Sequence, residues 1–214
     1  KKGDCEMAIA YQGTVDSRLD WTVGRRGIPY LDWGVNPGLA WVRQQSVAGP
    51  YLHIKQANPQ SQPEAREGQS ASTPYNLIRF ADVLLWAAEV EVEVGSLEQA
   101  EKYVNRVRAR AANPIGWVKK YLDDSDPLGG FSDEPAANYK VGLYQGEFSE
   151  RGKEFSREAV RFERKLELGM EHHRFFDLQR YDNGTGYMSK VLNEYIEHET
   201  SIPNYNFYYM ENAT

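Results

Sequence analysis

The residues best placed for chemistry are five rings in the first quarter of the chain. Trp21, Tyr30, Trp33, Trp41 and Tyr51 sit among glycines 24, 27, 34, 38 and 49 and prolines 29, 37 and 50, off any helical or strand period. A loop ring can offer its flat face to the apolar side of a sugar while nearby Asp, Asn, Gln or Arg groups bond the hydroxyls. The competing reading folds the rings inward to pin long loops. Trp33, Trp41 and Tyr30 are the leading ligand-contact candidates, with Arg43 second for hydroxyl or acidic-sugar contacts. Trp117 fits either reading. Trp86, in the middle of a helical pattern, is expected to pack.

Covalent chemistry finds little support. There is no Gly-x-Ser-x-Gly, no glycine-rich phosphate loop and no His-Glu-x-x-His. Nothing beside Cys5 would activate it. His172 and His173 point about 100° apart on a helix, and His53 and His198 stand alone, so no metal ligand set is expected. Asp123, Asp124 and Asp126 offer oxygens to a hard cation, but without the closing glutamate of an EF-hand; a solvated acidic turn is the simpler reading. Asp20, Asp32, Glu163 and Asp177 are carboxylates that a glycoside hydrolase would need in pairs, and spacing singles out no pair. Glu163, Arg174, Asp177 and Arg180 are expected to meet in a charge network that locks helices in register.

The elements that must position these residues form a mainly α chain. Its 214 residues can bury roughly 70% of the extended surface. The net charge of −6 argues against general nucleic-acid binding. One cysteine excludes an internal disulfide. Lys1-Lys2-Gly3-Asp4 opens without the apolar run of a signal peptide.

Residues 1–74 read as a loop-rich aromatic region, with an exposed loop over 57–73. Residues 75–112 read as a helical hairpin. Thr73 caps and Pro74 opens its first helix, whose inner face carries Leu77, Phe80, Ala81, Leu84, Leu85 and Ala88. Gly95 stops it, and Ser96 caps a second helix with Leu97, Ala100, Val104, Val107 and Ala111 on one face. The spacing approximates one tetratricopeptide repeat, which cannot stack on itself and so needs neighbours. Residues 113–154 read as an irregular insertion. Residues 155–214 read as a helical region packing on the hairpin. Its third helix starts near Phe155 or Ser156 and carries Ala159, Phe162 and Leu166. A fourth carries Phe175, Phe176, Leu178 and Tyr181, and a last covers Tyr187 to Glu197.

Several blocks resemble the SusD/RagB-like family. Asp16-Ser-Arg18-Leu-Asp20-Trp-Thr-Val-Gly24-Arg25 and Gly27-Ile-Pro29-Tyr-Leu-Asp32-Trp33-Gly34 resemble the middle of such proteins. Tyr75-Asn-Leu-Ile-Arg79-Phe-Ala-Asp-Val-Leu84-Leu85-Trp-Ala-Ala-Glu89 resembles their helix-opening signature, continued by Asn105-Arg-Val-Arg-Ala-Arg110. Glu163-Arg164-Lys-Leu-Glu167-Leu168 with His173-Arg174-Phe-Phe-Asp177-Leu-Gln179-Arg180-Tyr181 is the strongest match. The family often has Gly where this chain has His172, and a basic residue at the place of Gln179. Such proteins are typically more than twice this long, so the chain resembles their C-terminal part. Cys5 matches the family's lipid-anchored cysteine poorly. The resemblance implies a surface-exposed outer-membrane lipoprotein of Bacteroidetes-like bacteria. It would capture glycans or other nutrients without catalysis or cofactor and pass them to a SusC-like TonB-dependent transporter. The alternative is a helical scaffold that docks the transporter and holds no ligand site.

Overall fold

The computed structural model describes residues 12–44, 51–62 and 76–201. Cys5, the Thr73-Pro74 cap, most of the 57–73 loop and the tail beyond Ser201 lie outside them. The fold is mainly α. A single helical turn, α1 (Leu19–Thr22), leads into β1 (Val23–Gly24), which pairs antiparallel with β2 (Leu52–His53). The hairpin helices are α2 (Phe80–Val94) and α3 (Leu97–Ala112). An antiparallel ribbon follows, β3 (Lys119–Tyr121) and β4 (Phe131–Pro135), with a register irregularity between its ends. Then come α4 (Glu147–Glu167), α5 (Arg174–Asp182) and α6 (Tyr187–Ser201).

The hairpin forms as its residues require. Ser96 Oγ accepts the Gln99 amide at 3.3 Å, and α3 buries Ala100, Val104, Val107 and Ala111. Leu84, Leu85, Ala88 and Val92 of α2 meet that face, and Phe148, Ala159 and Val160 of α4 close the core. Two details differ from expectation. The first helix begins at Phe80, so Leu77 lies outside it and is exposed, as is Phe80. Gly95 ends the helix in ordinary negative-φ backbone. Its missing side chain matters because a Cβ there would sit 2.1 Å from Glu91 Oε2, which accepts the Ser96 amide.

α2 is apolar on both sides. Phe80, Val83, Trp86, Val90 and Val94 are exposed, with Arg106 of α3 lying 5.5 Å from the centre of the Phe80 ring. Trp86, expected to pack, is 39% exposed. Arg164 lies 5.8 Å from the centre of its ring.

The third helix starts at Glu147 rather than near Phe155. Gly152 inside it has φ 80° and ψ −174°, a region essentially closed to other residues, so α4 is two helices joined at a kink. Residues 153–167 correspond to the expected segment, and the turn before the kink extends the helix into the segment expected to be irregular. Phe162, Phe175 and Phe176 point to solvent. Beyond Val160, what α4 turns inward is charged.

Arg164 is 1% exposed. Its Nε and Nη2 donate to both oxygens of Asp177 at 2.9 Å, and Nη1 donates to Asp82 at 2.6 Å. Arg180 and the Tyr181 hydroxyl hold Glu89 beside it. Glu163 and Glu167 form a second cluster. Glu163 accepts from Arg18 at 2.5 Å and Arg108 at 2.8 Å. Glu167 accepts from Arg79 and Arg110, each at 2.5 Å. The expected single network of Glu163, Arg174, Asp177 and Arg180 is therefore corrected. Neighbouring residues on a helix point about 100° apart, so Glu163 and Arg164 reach different partners, and Arg174 belongs to neither cluster. His172, where the family often has glycine, has φ 65°, a conformation that glycine adopts without a Cβ clash.

Two outcomes are expected. Gly152→Ala meets open space, so its cost is conformational alone. Urea unfolding should show a loss of about 1–3 kcal/mol. Arg164→Met takes from buried Asp82 its hydrogen-bonded cation and leaves Asp177 with Arg180 alone, and the loss should be about 3–5 kcal/mol. Acid should act in the same direction. Burial raises the Glu171 pKa, but hydrogen bonds from Arg79 and Lys55 outweigh it and hold the carboxyl below its usual range. The stabilisation is thus complete above the unfolded value of about 4.3 and is lost as pH falls through the lower folded value. Thermal midpoints between pH 6 and pH 3 check this, and Glu171→Gln should flatten the fall.

Candidate functional site

Charge placement inside the first loop decides which rings face out. Arg18 reaches inward to Glu163. Asp20, two residues on, is also buried and accepts from Arg25 at 2.5 and 2.8 Å and from the Tyr139 hydroxyl at 2.7 Å. Trp21, next in the chain, is left on the outside. Its indole N–H donates to the Gly116 carbonyl at 2.8 Å. Thus the edge is fixed and part of the ring stays open.

The next turn is held by the Pro29–Val35 bridge and by the Tyr30 amide on the Gly34 carbonyl at 2.9 Å. Tyr30 packs edge-on against Trp41, with centroids 5.9 Å apart, and its hydroxyl donates to the His53 carbonyl. A Cβ on Gly24 would sit 2.6 Å from the Tyr30 ring, so a glycine is needed there. Trp33 donates its indole N–H to the Asn58 carbonyl at 2.8 Å. Asp32 accepts the amides of Gln60 and Ser61. Residues 57–62, read as part of an exposed loop, are therefore tied down and mostly half-buried.

The two readings of these rings turn out to be compatible. Polar edges pin loops, yet Trp21, Trp33 and Trp41 remain 44%, 38% and 40% exposed. Tyr30 and Trp41 are brought together, and Trp41 also lies against Gly34, next to Trp33. Tyr51 is exposed. Arg43 is exposed just past the Gly38–Trp41 turn and makes none of the hydrogen bonds that build this surface.

A second aromatic surface lies on the other side of the same turn. Pro29 and Leu31, flanking Tyr30, line a groove of about 180 Å³ whose floor is Ile54 and Val118 and whose walls are Trp21, Trp117 and Phe131. Trp117 also tilts onto Tyr139 and gives its N–H to the Ala111 carbonyl at 2.9 Å. Phe131 stacks on Tyr121, with centroids 5.1 Å apart. Three of these residues come from the insertion, which looked irregular because its two strands are short and its turns rich in Asp, Pro and Gly. Phe131 was missed. The signal that places it is the β3–β4 pairing, which no local period reveals.

A larger hollow of about 360 Å³ lies among α2, α4 and α5. Its three arginines are already matched by acids, Arg157 with Glu93, Arg180 with Glu89 and Arg161 with Glu158 just outside the lining. The carboxylates considered for hydrolysis are also engaged. Asp20, Glu163 and Asp177 are paired with arginine, and Asp32 holds backbone amides. Burial tends to raise the Asp32 pKa, but hydrogen bonds from Ser61 and Gln60 prevail and lower it. In the acidic turn, Asp123 accepts from the Ser125 amide and hydroxyl. Among the described residues no group of three or more His, Cys, Asp or Glu is arranged to hold a metal ion. Nor, among them, is any helix long and apolar enough to cross a membrane.

The sequence is similar to those of known proteins. The chain is 37% identical over 119 residues to SusD-like protein P2 of Formosa agariphila, covering 55% of this chain and 19% of that protein. It is 34% identical over 131 residues to SusD-like protein P25 of the same organism, covering 61% of this chain and 18% of that protein. The match thus spans about a fifth of each relative's length. The SusD family itself matches over residues 9–214, which takes in the buried charge clusters of α4 and both aromatic surfaces: the chain belongs to the SusD family.

Proposed function

We propose that this chain is part of a surface-exposed outer-membrane protein that captures glycans without catalysis and passes them to a SusC-like TonB-dependent transporter. One observation carries the reading. Trp21, Trp33 and Trp41 sit in loops with open faces, and Trp21 and Trp33 have their polar edges held by backbone carbonyls. Rings fixed in this way lose little freedom when a sugar stacks on them. Trp33, Trp41 and Tyr30 supply the stacking surface, and Arg43 supplies a polar contact. Each contact is weak, and repeated contacts along a polymer raise the overall affinity. The chemistry is non-covalent, in keeping with four carboxylates that are all engaged elsewhere.

A second reading rests on α2. An exposed run of large apolar side chains on one helix marks a contact surface, and here Phe80, Val83, Trp86, Val90 and Val94 are open between the helix's acidic residues. That surface suits protein docking and is compatible with capture on the loop-built surface.

Titration of tryptophan fluorescence with glucan, xylan, mannan, pectin and mucin-type glycans tests the first reading. A saturable change with one polymer class is expected. Trp33→Ala or Trp41→Ala should weaken it about tenfold, as loss of one stacking ring costs about 1–3 kcal/mol. A folded chain that responds to none of the polymers would leave the docking reading in its place.

A further inference from the structure

The groove beneath the Pro29–Gly34 turn is unlike an ordinary sugar site because its lining is almost wholly carbon, with the Lys119 ammonium as its one remaining side-chain donor. Its two indole N–H groups are taken by the carbonyls of Gly116 and Ala111. Lys119 is its one charged side chain, and the ammonium donates to the Asp133 carbonyl on the neighbouring strand. The Leu31 carbonyl accepts the Tyr121 hydroxyl at 2.8 Å. What remains is hydrocarbon and aromatic carbon. A hydroxyl seated against that carbon, away from the Lys119 ammonium, loses water and gains no partner. The volume of about 180 Å³ is below the roughly 300 Å³ at which ligand pockets usually begin. It therefore suits the apolar edge of one ring rather than a length of chain.

A second observation comes from the backbone. Leu31 has φ 52°, in the left-handed region. Glycine and asparagine sit there readily, whereas a leucine pays a steric cost. The turn nevertheless presents a large apolar side chain to the groove. Strain of this kind persists where the surroundings impose it, and it gathers at ligand contacts.

We propose that this groove is a subsite for a 6-deoxyhexose unit of the captured glycan, whose C5 methyl group enters where a hydroxymethyl would bury an unpartnered hydroxyl. The inference rests on the capture reading and adds to it a preference of the site. Binding is non-covalent, so the preference is an affinity ratio between sugars that differ at one oxygen.

Two pairs of methyl glycosides isolate that oxygen: methyl α-L-fucopyranoside against methyl α-L-galactopyranoside, and methyl α-L-rhamnopyranoside against methyl α-L-mannopyranoside. The indole N–H signals of the ¹⁵N-labelled chain, assigned by single Trp→Phe variants, report where each sugar binds. The Trp21 and Trp117 signals should move saturably with a deoxy sugar, at an affinity at least fivefold above that of its hydroxymethyl partner. Such a ratio is the low end expected for one unpartnered buried hydroxyl. Leu31→Asn adds a polar group to the groove and suits the left-handed backbone, so this variant should fold and lose the preference. Wild-type ratios within twofold for both pairs would overturn the proposal. So would Trp21 and Trp117 signals unmoved by all four sugars, or moved only by N-acetyl-leucine amide, which would point to a peptide ligand. If the groove signals stay still while Trp33 or Trp41 responds to a polysaccharide, capture stands and the groove assignment falls. If no tryptophan responds to any sugar, both fall.

Discussion

The structure depends on the charged inner face of α4. Glu163, Arg164 and Glu167 lie almost wholly out of water on one helix. Charges so placed are tolerated when partners arrive with good geometry, and removing a partner is costly. The partners come from distant parts of the chain: Arg18 from the first loop, Arg79 from the start of α2, Arg108 and Arg110 from α3, and Asp177 from α5. An apolar core would accept many small shifts among these segments. Fixed fork-shaped guanidinium contacts permit far fewer. The end of α4 is held in the same way, because the Glu167 carbonyl accepts from Lys55 and Arg79.

This constraint carries through to the outer surface. Arg18 anchors the first loop to α4, and Asp20 with Arg25 and Tyr139 anchors it to the insertion. Between these inward residues and the next turn, Trp21 is left outside. The turn at Pro29–Gly34 then sends Tyr30 toward Trp41 and sends Pro29 and Leu31 to the groove. One short hairpin thus separates two aromatic surfaces. The ring edges are spent on holding loops and the faces stay open, so the site needs little reorganisation to meet a flat ligand.

The α2 helix adds a second kind of surface. Its buried side forms the core with α3 and α4, and its outer side repeats the apolar character without a cover among the described residues. A single helical hairpin of this type buries only one face by itself, which is the property that makes such hairpins stack in series.

The sequence by itself determined the hairpin. Its apolar period and the Ser96 cap act within a few residues of each other, and local geometry decides them. The glycine at 152 hid the first turn of α4, since a break in the backbone reads as the end of a helix whichever side continues. That the first-loop rings lie off any helix or strand face was also legible, because tryptophans among glycines and prolines have no periodic face to join, but whether they point out or in was not. Which ring meets which, and what each edge bonds, was left to the tertiary structure. Trp33 on Asn58, Trp21 on Gly116 and Phe131 beside Trp117 join residues far apart in the chain or set by strand pairing. The same holds for the split of Glu163 and Arg164 into separate clusters. Charge type can be read along a chain, but a buried charge takes its partner from whatever the fold brings within hydrogen-bonding distance.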